Sequence, residues 1–210
     1  MITKIDLHNH SIYSEDSTAE PEESIERAIE VGLDGIAFTE HNSYEASEPV
    51  ERLKERYRDR ISIFRGAEYA TAEGHVLLFG IRDDRFLGIG EAAPVREVVR
   101  FVTDRGGIVI VPHPYREWSL MRADLGSLNG ICAIEAYNHH NNRTENDKAM
   151  RAARVLQLPT TGGSDSHARE EVGGCYTEFF MLVTHHNFID ALRGGRYRGV
   201  DRHEPERPLR

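Results

Sequence analysis

Short apolar runs alternate along the chain with charged segments in which apolar residues recur at helical spacing. The apolar–polar alternation at 2–5 predicts a first β-strand. Further strands are predicted by apolar runs at 34–39, 61–67, 75–80, 108–111, 131–136, near Thr160 and at 179–184. Helices are predicted at 21–31, 46–59, 95–105, 145–156 and 188–192. Strands that alternate with helices in this way predict a parallel sheet covered by helices.

Candidate ligand side chains come directly after the predicted strands, and at least six strand ends carry them. They include His8, His10, Glu40, His41, Glu68, His113, Glu135, Asp165 and His167. Barrel enzymes gather catalytic groups from many strand ends, whereas an open sheet gathers them at one switch point. The sequence therefore predicts a single α/β domain, a TIM-like barrel over residues 1–200, followed by a solvated tail at 201–210. The segments 82–93 and 115–128 are expected to be loops, the second one at the barrel mouth.

Composition narrows the class of protein. The chain has 210 residues and a net charge of −9, with 35 acidic and 26 basic residues, which argues against an extended nucleic-acid interface. Two cysteines do not suggest a disulfide-stabilised secreted fold. No signal peptide and no apolar run near the ~18 residues of a membrane span are recognised, so we expect a cytoplasmic protein.

Two histidines at the end of the first strand suggest a metal. His8 and His10 are two residues apart, so both side chains leave the strand on one face. Paired imidazoles on a rigid strand end suit a divalent ion such as Zn, Mn or Fe. The recurrence of histidines and carboxylates at later strand ends strengthens this interpretation.

Five segments in order resemble the successive motifs of the PHP (polymerase and histidinol phosphatase) family. They lie at 6–10, 39–42, 66–68, 111–114 and 163–167 and span nearly the whole chain. The resemblance implies a distorted (β/α)7 barrel with a phosphoesterase site for two or three divalent metal ions at its carboxyl-end face.

The resemblance also implies three metal positions. The first is formed by His8, His10, Glu68 and Asp165, the second by Glu68, His113 and His75, and the third by Asp16, His41 and His167. Many family members carry histidine where Asp16 stands. A carboxylate is a harder ligand that favours Mn or Fe or weakens the third position. Glu15 is an alternative to Asp16.

Glu68 is the carboxylate expected to span two cations, and paired ions hold both the attacking and the leaving oxygen of a phosphoryl transfer. Water activated by the metal is the expected nucleophile. Asp165 is then expected to accept a proton from that water or to orient it. If the third position is empty, His167 or His41 is expected to protonate the departing alkoxide.

The negative charge of a phosphate ester predicts cationic side chains near the metals. Arg116, Arg143 and Arg169 follow the candidate ligands closely, and His140 lies in the loop after Glu135. Glu135 is expected to fix a histidine tautomer, and Glu40 to orient a neighbour. Trp118 either stacks on a substrate ring or packs its loop down.

The sequence thus favours a metal-dependent phosphoesterase that acts on a small phosphorylated metabolite or a nucleotide. The alternatives are a histidinol-phosphate phosphatase, an exonuclease on short oligonucleotides and an inactive metal-binding regulatory domain. Hydrolysis of a C–N bond in the manner of amidohydrolases usually uses a carbamylated lysine as the bridge. Lys4, Lys54 and Lys148 are the only lysines, and none ends a predicted strand. The sequence leaves the oligomeric state open.

Overall fold

The computed structural model describes residues 1–89 and 92–203 as nine strands and five α-helices. In chain order they are β1 Thr3–Asp6, α1 Pro21–Glu30, β2 Gly35–Phe38, α2 Glu51–Tyr57, β3 Ser62–Ala70, β4 His75–Phe79, α3 Val95–Thr103, β5 Ile108–Val111, β6 Ile131–Asn138, α4 Arg143–Leu156, β7 Thr160–Gly163, β8 Cys175–Phe179, α5 Phe188–Arg193 and β9 Tyr197–Asp201. None of the helices in this described part of the chain is long and apolar enough to cross a membrane.

Strands β1 to β7 are neighbours in sequence order, and together they form an almost closed barrel. All pair in parallel except β4, which is antiparallel to both β3 and β5. The barrel closes where the residues after β7 meet those after β1. Asn9 forms a parallel bridge with Ser166, and the Asp165 amide donates to the His8 carbonyl at 2.6 Å. The predicted α/β, distorted TIM-like barrel is confirmed.

A hairpin of β8 and β9 covers the gap that remains between β1 and β7. β8 is antiparallel to β1 and to β9. The backbones approach so closely that only glycine fits at two positions. A Cβ on Gly162 would lie 2.4 Å from the Tyr176 carbonyl oxygen, and one on Gly199 would lie 2.3 Å from that of Thr161. The hairpin is therefore part of the same nine-stranded sheet and packs directly against the barrel.

Apolar residues fill the barrel below its carboxyl-end rim, and α5 closes the opposite end. Phe188 of α5 stacks on Phe64 at a centroid distance of 4.0 Å and meets the edge of Phe79 at 5.5 Å. Outside the barrel, the buried valine face of α3 packs against the sheet; it consists of Val95, Val98, Val99 and Val102. A packed interior leaves polar chemistry to the rim.

The late strand predicted at 179–184 is wrong, and β9 was not predicted. Phe180 and Leu182 are exposed, although their apolar run resembles a strand. The true strand, β8, carries polar residues that are buried between neighbours. Thr177 Oγ1 donates to the Gly162 carbonyl at 2.9 Å, and Glu178 pairs with Arg198 at 2.8 Å. Partners in distant segments therefore make a polar strand stable.

The helix predicted at 46–59 begins as a 3₁₀ segment, Glu45–Val50, and only then becomes α2. Pro49 lies inside this 3₁₀ segment and cannot donate a backbone hydrogen bond. The predicted loop at 82–93 contains a second 3₁₀ turn, Asp84–Ile89, while residues 90 and 91 lie outside the described residues. The predicted tail begins too early, because Asp201 belongs to β9; residues 204–210 lie outside the described residues.

We predict that Phe188→Ala destabilises the barrel by about 3–5 kcal/mol, because it removes a buried ring that seals the lower end. Phe180→Ala is the matched control; the side chain is 45 % exposed and its loss should change stability by less than about 1 kcal/mol. Urea denaturation of both variants measures the difference in unfolding free energy. Equal losses would contradict the assignment of α5 as the closing element.

Candidate metal centre

Strand ends bring the candidate ligands to one rim of the barrel. His8 and His10 follow β1, His41 follows β2, Glu68 lies near the end of β3, His113 follows β5 and Asp165 follows β7. His75 opens β4, and it reaches the same rim because β4 is antiparallel to its neighbours. The topology therefore gathers side chains that are up to 157 positions apart.

Two of these residues have left-handed backbone conformations that side chains rarely adopt. His113 has φ 27° and Asp165 has φ 54°. Such conformations cost on the order of 1–3 kcal/mol and persist where the surrounding structure holds them. The Asp165 amide is held by the His8 carbonyl at 2.6 Å, and the amide of His113 donates to Glu135 at 3.2 Å. This cost is consistent with a functional site.

The first group consists of His8, His10, Glu68 and Asp165, all buried. The Nε2 atoms of the two histidines are 3.2 Å apart. Asp165 Oδ1 lies 3.3 Å from His8 Nε2 and 3.2 Å from His10 Nε2. Glu68 Oε2 lies 3.5 Å and 3.3 Å from the same two nitrogens. Four potential ligand atoms thus face one small volume.

The hydrogen-bond partners of the two rings determine which atoms face this volume. His8 Nδ1 lies 3.1 Å from Glu135 Oε1, and because a carboxylate only accepts, Nδ1 carries the proton. His10 Nδ1 lies 3.3 Å from Ser14 Oγ, whose own hydroxyl donates to Glu40 at 2.6 Å. Both Nε2 atoms therefore point inward, where a metal ion can displace a proton from them.

Four acceptors that face one another repel unless a cation lies among them. The donor set of two imidazoles and two carboxylates is one that Zn, Mn and Fe accept. The residues present therefore fit a divalent metal ion. The prediction that Glu135 fixes a histidine tautomer agrees with its contact to His8.

Glu68 lies between the first group and a second one. Its Oε2 faces the first group, while its Oε1 lies 2.9 Å from both His75 Nδ1 and His113 Nε2. His113 is buried, and His75 is partly exposed. A carboxylate with one oxygen toward each group has the arrangement that a bridge between two cations requires.

A third group forms at the outer edge of the rim. His10, His41 and His167 have ring nitrogens close enough to share an ion. Asp16 Oδ2 lies 3.2 Å from His41 Nε2 and 3.3 Å from His167 Nε2, with 57 % of its side chain exposed. Glu15 forms no ion pair with any of the described residues, so the geometry favours Asp16.

The charges of the residues in the first group strongly shift one another's pKa values. Burial alone lowers the pKa of His10, but hydrogen bonds to Asp165 and Glu68 raise it to about 9. The pKa of His8 is raised well above its usual value, because Asp165, Glu135 and Glu68 outweigh its burial. For the same reason the pKa values of Glu68 and Asp165 lie well below their usual range, despite burial.

The pKa values of His113 and His167 are shifted in the opposite direction. Burial lowers the pKa of His113, and the nearby Arg116 lowers it further, against the opposing effect of Glu68. Burial and the His10 charge lower the pKa of His167. Both imidazoles are therefore held neutral at pH 7, the form in which a nitrogen binds a metal.

Supporting contacts hold the rim in place, and sequence reasoning missed several of them. Glu40 accepts from the hydroxyls of Ser11 and Ser14, both at 2.6 Å, so it orients its neighbours as predicted. Asp6 accepts from Ser164 Oγ at 2.5 Å and from the Gly173 amide at 2.9 Å. The first residue of the Asp-x-His-x-His segment thus ties β1 to the loop after β7.

Arg116 reaches the cluster as a partner of Asp165. It is buried and donates to Asp165 Oδ2 at 2.7 Å and to Asn138 Oδ1 at 2.5 Å. Its guanidinium also lies 4.6 Å from the Trp118 ring, which is 75 % exposed. Trp118 therefore does not pack its loop into the protein. The anion that Arg116 contacts in this structure is therefore a protein carboxylate, that of Asp165.

The other predicted substrate contacts lie further from the cluster. His140 Nε2 is 3.4 Å from Glu171, and its ring centroid is 6.0 Å from that of His167, so it borders the rim. Arg143 is exposed at the start of α4. Arg169 instead forms a two-oxygen pair with Glu30 of α1 at 2.7 and 2.8 Å, so the structure does not bring it to the rim as predicted.

Comparison with known families and proteins agrees with this geometry. The profile of the PHP domain matches residues 6–157, and a PHP-associated profile matches residues 143–197. An uncharacterized protein of Methanocaldococcus jannaschii is 28 % identical over 167 residues, which cover 74 % of this chain and 94 % of that protein.

Two further relatives extend the comparison. A histidinol-phosphatase of Lactococcus lactis is 30 % identical over 119 residues, which cover 51 % of this chain but only 42 % of that protein. A two-domain protein from Bacteroides vulgatus, described as containing a predicted PHP-like metal-dependent phosphoesterase, has the same fold with a TM-score of 0.78 and 20 % identity. That match covers 96 % of this chain and 65 % of the other.

We predict that Glu68→Gln lowers bound metal by at least one equivalent per chain, since the amide removes the charge that two groups share. Elemental analysis after loading with Zn or Mn and gel filtration measures the content. Glu97→Gln, an exposed change on α3, is the matched control and should leave the metal content unchanged. An unchanged content in Glu68→Gln would contradict the proposed bridge.

We also predict that metal affinity increases with pH between 6 and 8. In the metal-free protein the pKa of His10 is about 9, so a proton occupies the site below that pH and a metal ion must displace it. The apparent affinity should therefore rise by about tenfold per pH unit for each displaced proton. Competition with a chelator of known affinity measures this slope, and a flat profile would contradict the prediction.

Proposed function

The chain belongs to the PHP domain family, and we propose that it is a metal-dependent phosphoesterase that hydrolyses a small phosphate ester. The observation that carries this proposal is the buried group of four acceptors, with Glu68 between it and two further histidines. Its charge and donor types match what a phosphoryl transfer requires.

The residues that would hold divalent ions are those of the three groups described above. They are His8, His10, Glu68 and Asp165; Glu68, His75 and His113; and Asp16, His41 and His167. When bound there, two or three ions of the Zn, Mn or Fe type supply Lewis acidity and lower the pKa of water toward ~7.

Asp165 is proposed to orient the attacking water or to accept its proton. Arg116 and Asn138 hold Oδ2, while Oδ1 faces the two buried histidines, so the carboxylate cannot rotate freely. A carboxylate held in this way presents one oxygen in a constant direction. Positioning of this kind accounts for a large part of enzymatic rate enhancement.

The leaving group would depart toward the open side of the rim. His167 Nδ1 donates to the Asp165 carbonyl at 2.8 Å, which leaves its Nε2 facing outward beside His41. If the third metal position is empty, His41 can deliver a proton to a departing alkoxide there; His167 can do so only after its Nε2 takes up a proton, because its Nδ1 proton is held by the Asp165 carbonyl. His140 borders the same side, and His140 and the exposed Arg143 are proposed to contact the substrate.

The proposed substrate is a small phosphorylated metabolite or a nucleotide. An acidic chain with a net charge of −9 gives little electrostatic help to a long nucleic acid. The 30 % identity to a histidinol-phosphatase makes histidinol phosphate the second candidate. Since the chain spans less than half of that protein, its activity remains a proposal here.

We predict that the metal-loaded protein hydrolyses nitrophenyl phosphate or bis(nitrophenyl) phosphate, and that Asp165→Asn lowers kcat/KM by about 100-fold or more. The reason is the loss of the charged oxygen that faces the cluster. Asp104→Asn, an exposed change after α3, is the matched control and should keep full activity.

The outcomes separate the alternatives. Turnover of the monoester alone indicates a phosphomonoesterase, and turnover of the diester alone a phosphodiesterase. A panel of nucleotides, histidinol phosphate and short oligonucleotides then ranks the substrates by kcat/KM. No turnover by a protein with full metal content would contradict the proposal and favour a regulatory metal-binding domain.

A further inference from the structure

A cavity opens at the end of the barrel opposite the metal groups. β4 begins at the rim with His75 and ends at Phe79, so Gly80 in the cavity wall lies at the other end. Phe64 also lines the cavity and precedes Glu68 on β3 by four residues, which correspond to about 13 Å at ~3.3 Å per residue. The cavity has a volume of about 670 Å³, within the range of small-molecule sites.

Basic side chains dominate the wall of this cavity. Its charged residues are Lys54, Arg65, Arg82, Asp83, Arg85 and Arg105. Asp83 is thus the single carboxylate among them, and it pairs with Arg85 at 2.8 Å. This excess of positive charge is confined to the lining of this cavity: Glu45, Glu48 and Glu51 line the adjoining cavity, and the whole chain carries a net charge of −9.

The remaining cations are only partly neutralised. Lys54 and Arg65 share one oxygen of Glu51, at 2.7 Å and 2.9 Å. Arg105 donates to the Phe101 carbonyl at 3.1 Å but pairs with no carboxylate of the described residues. Arg82 forms no hydrogen bond or ion pair with any of them. Neither guanidinium group therefore has a direct ion pair with a described carboxylate, although Arg82 shares an adjoining cavity with glutamates, and Arg85 and, to a lesser extent, Arg105 lower the pKa of Asp83.

Aromatic groups line the cavity, and one of them contacts Arg105. The Arg105 guanidinium lies 3.6 Å from the centroid of the Phe101 ring, which orients it at the cavity edge. The stacked pair of Phe64 and Phe188 forms part of the wall. Apolar walls reduce the local dielectric constant and strengthen the attraction of an anion.

We propose that this cavity binds a small dianion of the phosphate class, with Arg82 and Arg105 as its main contacts. Guanidinium groups match the oxygen geometry of phosphate and stay charged at all physiological pH values. Two guanidinium groups without a direct ion pair leave N–H donors free for the oxygens of such a dianion. The ligand is inorganic phosphate or the phosphate group of a monoester, and its binding does not depend on turnover at the metal groups.

Equilibrium dialysis with labelled inorganic phosphate tests the proposal on the full chain, treated with a chelator and kept at ~0.15 M ionic strength, where exposed charges are screened. Arg82→Ser/Arg105→Ser should weaken binding by at least about tenfold, which corresponds to ~1.4 kcal/mol. Arg151→Ser/Arg154→Ser on α4 is the matched control with the same change in net charge, and its affinity should stay within twofold.

Competition identifies the source of the phosphate group. Displacement of the label by glycerol phosphate at equal or lower concentration indicates a monoester ligand, and failure to displace it indicates inorganic phosphate. Equal weakening in both double variants would mean that phosphate binding depends only on the net charge of the protein. That result would overturn the proposal. No weakening in Arg82→Ser/Arg105→Ser, or no phosphate binding to the parent chain, would overturn it as well.

Discussion

Four hydrogen-bond acceptors face one another inside the barrel mouth, and the rest of the structure depends on how their repulsion is balanced. His8 and His10 direct their Nε2 atoms inward because their Nδ1 protons are held by Glu135 and Ser14. Asp165 and Glu68 add carboxylate oxygens within 3.5 Å. Positive charge stabilises such a site, supplied by protons on the histidines in the metal-free protein and by a metal ion that displaces them.

The barrel supplies the rigidity that this arrangement requires. β1 and β7 converge through the Asn9–Ser166 bridge, so the two ends that carry His8 and Asp165 are joined directly. Gly163 allows this approach, since a Cβ there would lie 2.4 Å from the His8 Cβ and 2.5 Å from Glu135. Backbone contacts and buried hydrogen-bond partners thus offset the repulsion between the crowded acceptors.

Much of this could be predicted from the sequence, because metal ligands have few chemical identities and strand ends follow from apolar runs. The barrel and the family were recognised from short segments around His8, His41, Glu68, His113 and Asp165. The roles expected of Glu135 and Glu40 agree with their contacts, because a buried carboxylate beside a ligand needs a donor.

What the sequence did not reveal depends on contacts between distant segments. The sequence of β8 contains polar residues, and the strand is stabilised by pairing with β1 and β9 and by a hydrogen bond to β7. Arg169 lies two residues after His167, but Glu30 of α1 draws it away from the rim. The cavity with Arg82 and Arg105 unites residues from loops and helix ends, and no local pattern indicates that they meet.

The most direct test of the central claim is a crystal structure of the metal-loaded protein with data collected on both sides of the metal absorption edge. The account predicts anomalous difference peaks among His8, His10, Glu68 and Asp165, and between Glu68 and His113. The absence of a peak in the first group, or peaks confined to surface histidines, would contradict it.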